Sequence, residues 1–311
     1  MSQNWPLPCG IAAPQAFADG EVDLDLIRSF AVRAEEVGYH SLWVAEQILG
    51  TTPTPEPVSF LSYLAGVTRR IRLGSAVIIA TTRNPVLLAK QLSTLDVLSD
   101  GRLIVGTALG GRPPTYPLFG GPSDARARHF AESVQVMKAL WTQDEATFDG
   151  QFWQLDGIQM SPKPVQKPHP PLWFGGRHPS GLRRTARLAD GWMGAGSTTT
   201  EQFKEHVVSL RRELADRGRD PAAFPISKRV YIAVDDDRDR AERRLTEWFG
   251  AWYGRAEMGA QVSAYGSVAQ CVNGLNEIVE GGAGMLMLNP MFDHAEHLER
   301  LASDVIPRLS A

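Results

Sequence analysis

Cysteine is nearly absent: Cys9 and Cys271 are the only two in 311 residues. They lie far apart and outside any CxxC spacing, so neither a disulfide framework nor a zinc cluster is expected, and a reducing, cytoplasmic setting fits. No run of about 18 apolar residues occurs, so no membrane-spanning helix is expected. The opening Met1-Ser2-Gln3-Asn4-Trp5-Pro6 has no basic stretch leading into an apolar one, which argues against a secretory signal. A basic excess is missing too. With 32 Lys and Arg against 35 Asp and Glu, the formal charge is −3, the opposite of what a nucleic-acid binder shows.

What is present is an alternation of short β-branched runs with longer amphipathic ones. Residues 9–13 form a first apolar run. Leu24, Ile27, Phe30, Ala31, Ala34 and Val37 then recur at helical spacing, with Asp23 as N-cap and Gly38 as stop. Strands are expected at residues 39–44, 71–80, 102–109, 171–174, 191–195, 226–234 and 283–288. Residues 71–80 are nearly apolar on both sides, as in a parallel strand covered on both faces. Helices are expected over 58–68, 85–98, 124–141, 179–189, from 199 to near 218, over 238–252, 268–280 and 295–309. Thr199 with Gln202 and Ser267 with Gln270 form capping boxes, and Pro85 takes the first helical position after Asn84. Residues 146–155 carry a turn between two aromatic runs and read as a β-hairpin. The Pro- and Lys-rich residues 161–171 read as a stiff surface connection rather than a polyproline ligand.

Eight strands alternating with helices call for a (β/α)8 TIM barrel, treated as one domain over residues 1–311, with the hairpin inserted between strands four and five. A doubly wound sheet would need a glycine-rich fingerprint after the first strand, and Ala12-Ala13-Pro14-Gln15 has none. In a barrel the chemistry lies at the C-terminal strand ends. Those ends offer Glu46 and Gln47, residues 80–84, Gly110-Gly111-Arg112, Gly175-Gly176-Arg177-His178, residues 195–197, Asp235 and Asn289. Histidines do not cluster there as a metal hydrolase would require. No GxSxG elbow occurs, and no strand ends in a Schiff-base lysine. Side chains this sparse point to a bound organic cofactor.

The turn Gly175-Gly176-Arg177-His178 precedes a helix N-terminus, where bare backbone N–H groups and the helix dipole favour an anion such as phosphate. The bland alternative is a tight turn. Gly196 and Ser197 lie in a second small-residue loop at the neighbouring strand end and reinforce the anion reading. Glu46 ends an apolar strand, either as a proton-transfer group or as a solvated loop acid. Asn84 reads as an N-cap, Cys9 and Cys271 as small apolar packing residues, and Arg83 and Arg112 as ligand contacts or surface charge.

Several segments together resemble the bacterial luciferase-like superfamily. These are Tyr39-His40-Ser41-Leu42-Trp43-Val44-Ala45-Glu46, Ile71-Arg72-Leu73-Gly74-Ser75-Ala76-Val77, Asn84-Pro85-Val86-Leu87-Leu88-Ala89-Lys90-Gln91 and Leu95-Asp96-Val97-Leu98-Ser99-Asp100-Gly101-Arg102-Leu103. The stretch from Pro162 to Gly176 and Ala189-Asp190-Gly191-Trp192 belong to the same resemblance, which covers nearly the whole chain in order. It implies a dimeric (β/α)8 barrel binding reduced FMN or the deazaflavin coenzyme F420. Gly175 and Gly176 then become phosphate contacts supported by Arg177 and His178. It also implies a non-prolyl cis peptide at Ala76-Val77, bulging against the central ring.

Two departures stand out. Glu46-Gln47 replaces the Asp-His or Glu-His of many relatives. Gly110-Gly111-Arg112 stands where sugar-phosphate dehydrogenases of the deazaflavin branch carry a glutamate. Glutamine exchanges no proton near neutral pH, so Glu46 is left as the catalytic candidate. The function implied is a luciferase-like oxidoreductase, without metal, that reduces or monooxygenates a small organic substrate. A separate flavin or F420 reductase would be its partner, and the compact length favours F420. Two alternatives are a non-catalytic flavin-binding relative and a cofactor-free barrel hydrolase. The hydrolase would need Glu46 and Asp235 facing each other about 5 to 9 Å apart.

Overall fold

The structure, a computed structural model, describes residues 5–17, 20–110, 113–122 and 124–310. Helix α1 (Leu24–Val37) begins where the Asp23 carboxylate accepts the Leu26 N–H at 2.8 Å and ends at Gly38 in the left-handed conformation. Its buried stripe is Ile27, Phe30, Ala31, Ala34 and Val37, spaced so that one face meets the sheet. Helices α2 (Pro57–Val67), α3 (Pro85–Leu98), α4 (Arg126–Thr142) and α5 (Pro179–Leu188) follow. Proline opens α2, α3 and α5, at the position where its missing N–H costs nothing. Both expected capping boxes are present, at the starts of α6 (Thr200–Ala215) and α8 (Val268–Glu280), with α7 (Arg238–Tyr253) between them.

The strands of the barrel are β1 (Cys9–Ala12), β2 (Ser41–Val44), β3 (Arg72–Ser75), β4 (Leu103–Ala108), β5 (Leu172–Gly175), β6 (Gly191–Gly194), β7 (Ile226–Val234) and β8 (Met285–Pro290). Each pairs in parallel with its neighbour, and β8 returns to β1, closing an eight-stranded (β/α)8 barrel. The main core lies between this sheet and the surrounding helices. A second core fills the lumen, where the rings of Trp43 and Trp173 stand 5.9 Å apart beside Met193 and Met287. Truncating Trp43, which has no exposed surface, should cost about 3 to 5 kcal/mol.

The hairpin pairs Ala146–Asp149 with Gln154–Ile158 between α4 and β5. The Pro-rich connection after it is pinned to α3 rather than free. Asp96 accepts both the Gln166 N–H and the Gln166 side-chain amide, and Ser93 donates to the Pro162 carbonyl. A spacer whose contacts are already satisfied fits a stiff connection.

Three elements differ from the pattern expected. The run 71–80 is not one strand: it breaks after Ser75 and resumes as Ile78–Ile79, paired to β4. A short helix (Met258–Val262) leads into an added strand (Ser263–Gly266) that pairs with the end of β7, a four-residue element too short to show periodicity. The last helix is α-helical only over α9 (His294–Arg300), then turns π and 3-10. Pro307 explains the tightening, since it can donate no N–H to the preceding turn.

Candidate active site at the barrel mouth

The C-terminal strand ends surround a cavity of about 570 Å³. Its floor includes Ala12, Ala76 and Val77 from the barrel, with Arg229 of β7 and Asn289 of β8 beside them. The rim comes from residues 45–49 after β2, from Tyr116 and Phe119, from Trp248, Trp252 and Tyr253 of α7, and from His294. Among the described residues no group of three or more His, Cys, Asp or Glu could hold a metal, and no helix is long and apolar enough to cross a membrane.

The floor is shaped by the break in β3. The Ala76–Val77 peptide is cis, as the resemblance implied. Just before it, Ser75 Oγ donates to the Gly106 carbonyl at 2.7 Å and accepts the Gly106 N–H at 3.0 Å. A Cβ on Gly106 would sit 1.7 Å from the Ser75 carbonyl oxygen, so no side chain is tolerated where the two strands pinch together. On the far side of the break the Glu46 carboxylate accepts the Ile79 N–H.

Glu46 is therefore not a solvated loop acid. Its carboxylate is enclosed and ion-paired to Arg83, whose guanidinium also reaches Glu56. Burial raises the Glu46 pKa, and the Arg83 charge and the Ile79 N–H pull against that rise without cancelling it. Arg83 is thus a structural clamp. Asn84 caps α3 by accepting the Val86 and Leu87 N–H groups. Asp235 does not line the cavity: it accepts from both Arg240 Nε and Nη2 and from the Asp237 N–H. Facing carboxylates of the hydrolase kind are not formed by these two residues. Gly111 and Arg112 lie outside the described residues.

The two small-residue turns come together at the neighbouring strand ends. Gly176 adopts a φ of 142°, and an added Cβ there would meet nothing within 4 Å. Its carbonyl accepts the Trp192 indole N–H at 2.9 Å. Arg177 Nη1 reaches the Ser197 carbonyl at 3.4 Å. His178 caps α5, its Nδ1 accepting the Ser180 N–H, so its ring is partly committed to the helix. Gly196 packs so near Tyr231 that a Cβ would stand 2.7 Å from the ring. None of residues 175–178, nor Gly196 or Ser197, lines the cavity itself. Gly175 abuts it: a Cβ there would lie 3.2 Å from Val77.

Three residues that sequence reasoning passed over complete the site. Lys228 is buried, and its ammonium donates to the Ala195 and Thr198 carbonyls and the Thr198 hydroxyl, fastening the loop that carries Gly196 and Ser197. Arg229 donates to the Ala76 carbonyl at 3.4 Å and to Asn289 Oδ1 at 3.1 Å; its Nε is buried without a partner. Its charge rests against Tyr231, 5.0 Å from the ring centroid, and among the described residues no carboxylate pairs with it. His294 lines the cavity with its Nδ1 buried and unpartnered. The signal for the first two was available: Lys-Arg inside the apolar run Ile-Ser-Lys-Arg-Val-Tyr-Ile-Ala-Val is out of place in a barrel strand unless it has work there.

Such a site is suited to a planar, anionic, phosphorylated heterocycle. A side-chain-free turn lies beside the bulge at Ala76–Val77, and among the described residues the Arg229 cation has no carboxylate partner.

Comparison with known proteins supports the same reading. The family model described as luciferase-like monooxygenase matches residues 9–284. The FMNH2-dependent dimethylsulfone monooxygenase of Pseudomonas putida is 28% identical over 233 residues, which cover 72% of this chain and 62% of that one. This chain therefore spans under two thirds of that relative's length. The F420-dependent glucose-6-phosphate dehydrogenase of Kineococcus radiotolerans is 26% identical over 263 residues, covering 79% and 74% of the two chains. A solved F420-dependent secondary alcohol dehydrogenase, in complex with an F420–acetone adduct, superposes with a TM-score of 0.85 over 100% of both chains at 20% identity. At that identity it supports the fold alone.

Proposed function

The chain belongs to the luciferase-like monooxygenase family, and from that premise we propose that it is an oxidoreductase using reduced FMN or coenzyme F420 to monooxygenate or reduce a small organic substrate. The observation that carries this reading is the pairing of an uncompensated buried cation with a cavity. Arg229 lines a space of about 570 Å³, its Nε has no partner, and among the described residues no carboxylate pairs with it. A buried guanidinium without a counter-charge is costly, and an anionic ring supplies the missing charge.

When bound, reduced FMN or F420 supplies two electrons to oxygen or to the substrate. The chain's own residues hold and shield it. Ala76 and Val77 would hold the ring on the cavity floor, and Arg229 would balance the charge of its reduced form. Gly175 and Gly176 leave main-chain N–H groups clear for the phosphate, with Arg177, Gly196 and Ser197 alongside and His178 capping α5 behind them. The apolar rim excludes water from the reacting centre. Glu46 holds the segment that follows the bulge in place; a proton-transfer role is the second reading, favoured by its raised pKa.

With FMN, a separate reductase would deliver the reduced ring, in keeping with the FMNH2 dependence of the Pseudomonas putida relative. The homodimer common to such barrels and a cytoplasmic setting complete the proposal; two buried free thiols suit a reducing compartment. Titrating the purified chain with reduced FMN and reduced F420 tests it. Micromolar binding of one is expected, and binding of neither removes the reading. Binding without turnover on any substrate would leave a cofactor carrier instead.

A further inference from the structure

The mouth cavity holds few polar groups that remain free. Gln15 spends both ends of its amide on the backbone of Ala45. The Tyr253 hydroxyl is bonded to that of Tyr231 at 2.5 Å, and the Tyr116 hydroxyl to the Leu109 carbonyl. Thr82 bonds the Ile79 carbonyl, and Glu46 is held by Arg83 and Ile79. The wall built on α7 is aromatic: Trp248 and Trp252 stack with centroids 5.7 Å apart and planes 12° apart, and Tyr253 flanks Trp248.

Arg229 Nε and the Gln47 amide stay without a partner among the described residues, and His294 is the imidazole among these free lining groups. It opens α9 after β8, lines the cavity and makes no hydrogen bond among the described residues. Its Nδ1 is buried without a partner, so Nε2 is the ring nitrogen left to face open space. Burial and the neighbouring His297 push its pKa down to about 4, so the ring is neutral at physiological pH. A neutral imidazole has one donor and one acceptor. Leaving a buried lone pair unmet is more readily tolerated than leaving a buried N–H unmet, which places the proton on Nε2, towards the cavity.

We propose that His294 is the group that receives the substrate, its Nε2–H donating to the oxygen of an uncharged, largely apolar carbonyl compound whose body rests on the Trp248–Trp252 wall. A carbonyl oxygen accepts from that N–H, and an aromatic or alicyclic body matches the indole faces. Among the described residues the α7 wall of the cavity carries no carboxylate or cation, and the Arg229 charge on the floor is left to the cofactor ring. The consequence for turnover rests on the oxidoreductase reading, but the binding step does not.

The experiment uses three probes on the full chain by calorimetry: acetophenone, ethylbenzene, which lacks the oxygen, and 4-acetylbenzoate, which adds a charge. Acetophenone should bind about tenfold more tightly than ethylbenzene, the worth of one hydrogen bond, and, once Arg229→Met removes the cation on the floor, more tightly than 4-acetylbenzoate. In His294→Phe the first difference should vanish, whereas Trp252→Ala should weaken acetophenone and ethylbenzene alike. Nitrogen-15 spectra of the wild-type chain supply a measurement without a variant: the His294 ring should be the Nε2–H tautomer and should shift on addition of acetophenone. Equal binding of acetophenone and ethylbenzene, a difference that survives in His294→Phe, or an unmoved ring signal would each overturn the proposal. Repeating the titrations with reduced FMN or F420 separates the two readings. Failure of both cofactors to bind removes the oxidoreductase reading and leaves the His294 result standing.

Discussion

Arg83 holds two carboxylates at once, its Nε 3.1 Å from Glu46 Oε1 and its Nη2 2.8 Å from Glu56 Oε1. Glu56 caps α2 by accepting the Ser59 N–H, so one guanidinium ties the end of β2, the segment after the cis peptide and the start of α2. Glu46→Ala would strand a mostly enclosed cation and leave the Ile79 N–H without its acceptor. The expected loss is about 3 kcal/mol of unfolding free energy, read from urea denaturation. Glu46→Gln keeps an acceptor for Ile79 and should cost roughly half as much. Turnover separates the two roles of Glu46. Full activity in Glu46→Gln would leave it a positioning residue, and a large fall in kcat without loss of cofactor affinity would assign it the proton.

The turn after β5 makes a second test. Gly176 has a φ of 142° and open space where a Cβ would go. Gly176→Asp would put a carboxylate where the phosphate is expected and strain the backbone by about 1 to 3 kcal/mol. Affinity for FMN should fall by two orders of magnitude or more. Riboflavin, which has the ring and lacks the phosphate, should lose far less. Equal losses for the two would show that the turn does not meet the phosphate.

Much of this arrangement was legible in the sequence, for definable reasons. Cap residues act through their own local hydrogen bonds, so Asp23, Asn84, Thr199 and Ser267 marked helix starts that the structure reproduces. The strand ends followed from alternation alone, and they delivered Glu46 and the Gly175–His178 turn. What escaped is long-range. Nothing local says that Glu46 meets Arg83 across 37 positions, or that Arg229 reaches Ala76 across 153. His294 stands just ahead of the helix expected from residue 295 and carries no local signal, because its cavity is assembled from strands remote in sequence. The break in β3 does not show in the apolar pattern of residues 71–80, only in the family resemblance at Ala76-Val77, because the Ser75–Gly106 contact joins different strands.

Arg229 should set the redox preference of the bound ring. Its charge lies beside the bulge with no carboxylate among the described residues, so it would stabilise an anionic reduced form more than a neutral oxidised one. Arg229→Met should therefore weaken reduced FMN by about tenfold or more relative to oxidised FMN, and lower the potential of the bound couple. Spectroelectrochemistry on the wild type and the variant measures this. An unchanged gap between the two affinities would place the cation elsewhere than at the ring.

Lys228 offers a pH test whose sign is fixed by burial. Desolvation, with the Arg229 charge added, lowers its pKa from 10.5 to about 7. Between those values the unfolded chain carries the proton and the folded one does not, so the unfolded state binds more protons. Unfolding free energy contributed by this residue must then rise with pH across that window, by at most about 1.4 kcal/mol per unit. Below pH 7 both states are protonated and the contribution is flat. Lys228→Met removes the titration and leaves the Ala195 and Thr198 carbonyls short of a donor, which shifts the whole curve by an amount of either sign. The prediction therefore concerns the slope. The difference in unfolding free energy, wild type minus Lys228→Met, should be level from pH 5.5 to 6.5 and climb from 7.5 to 9.5. Urea midpoints measured at half-unit intervals would show it, and a flat difference throughout would mean that the ammonium keeps its proton on the strength of its three acceptors.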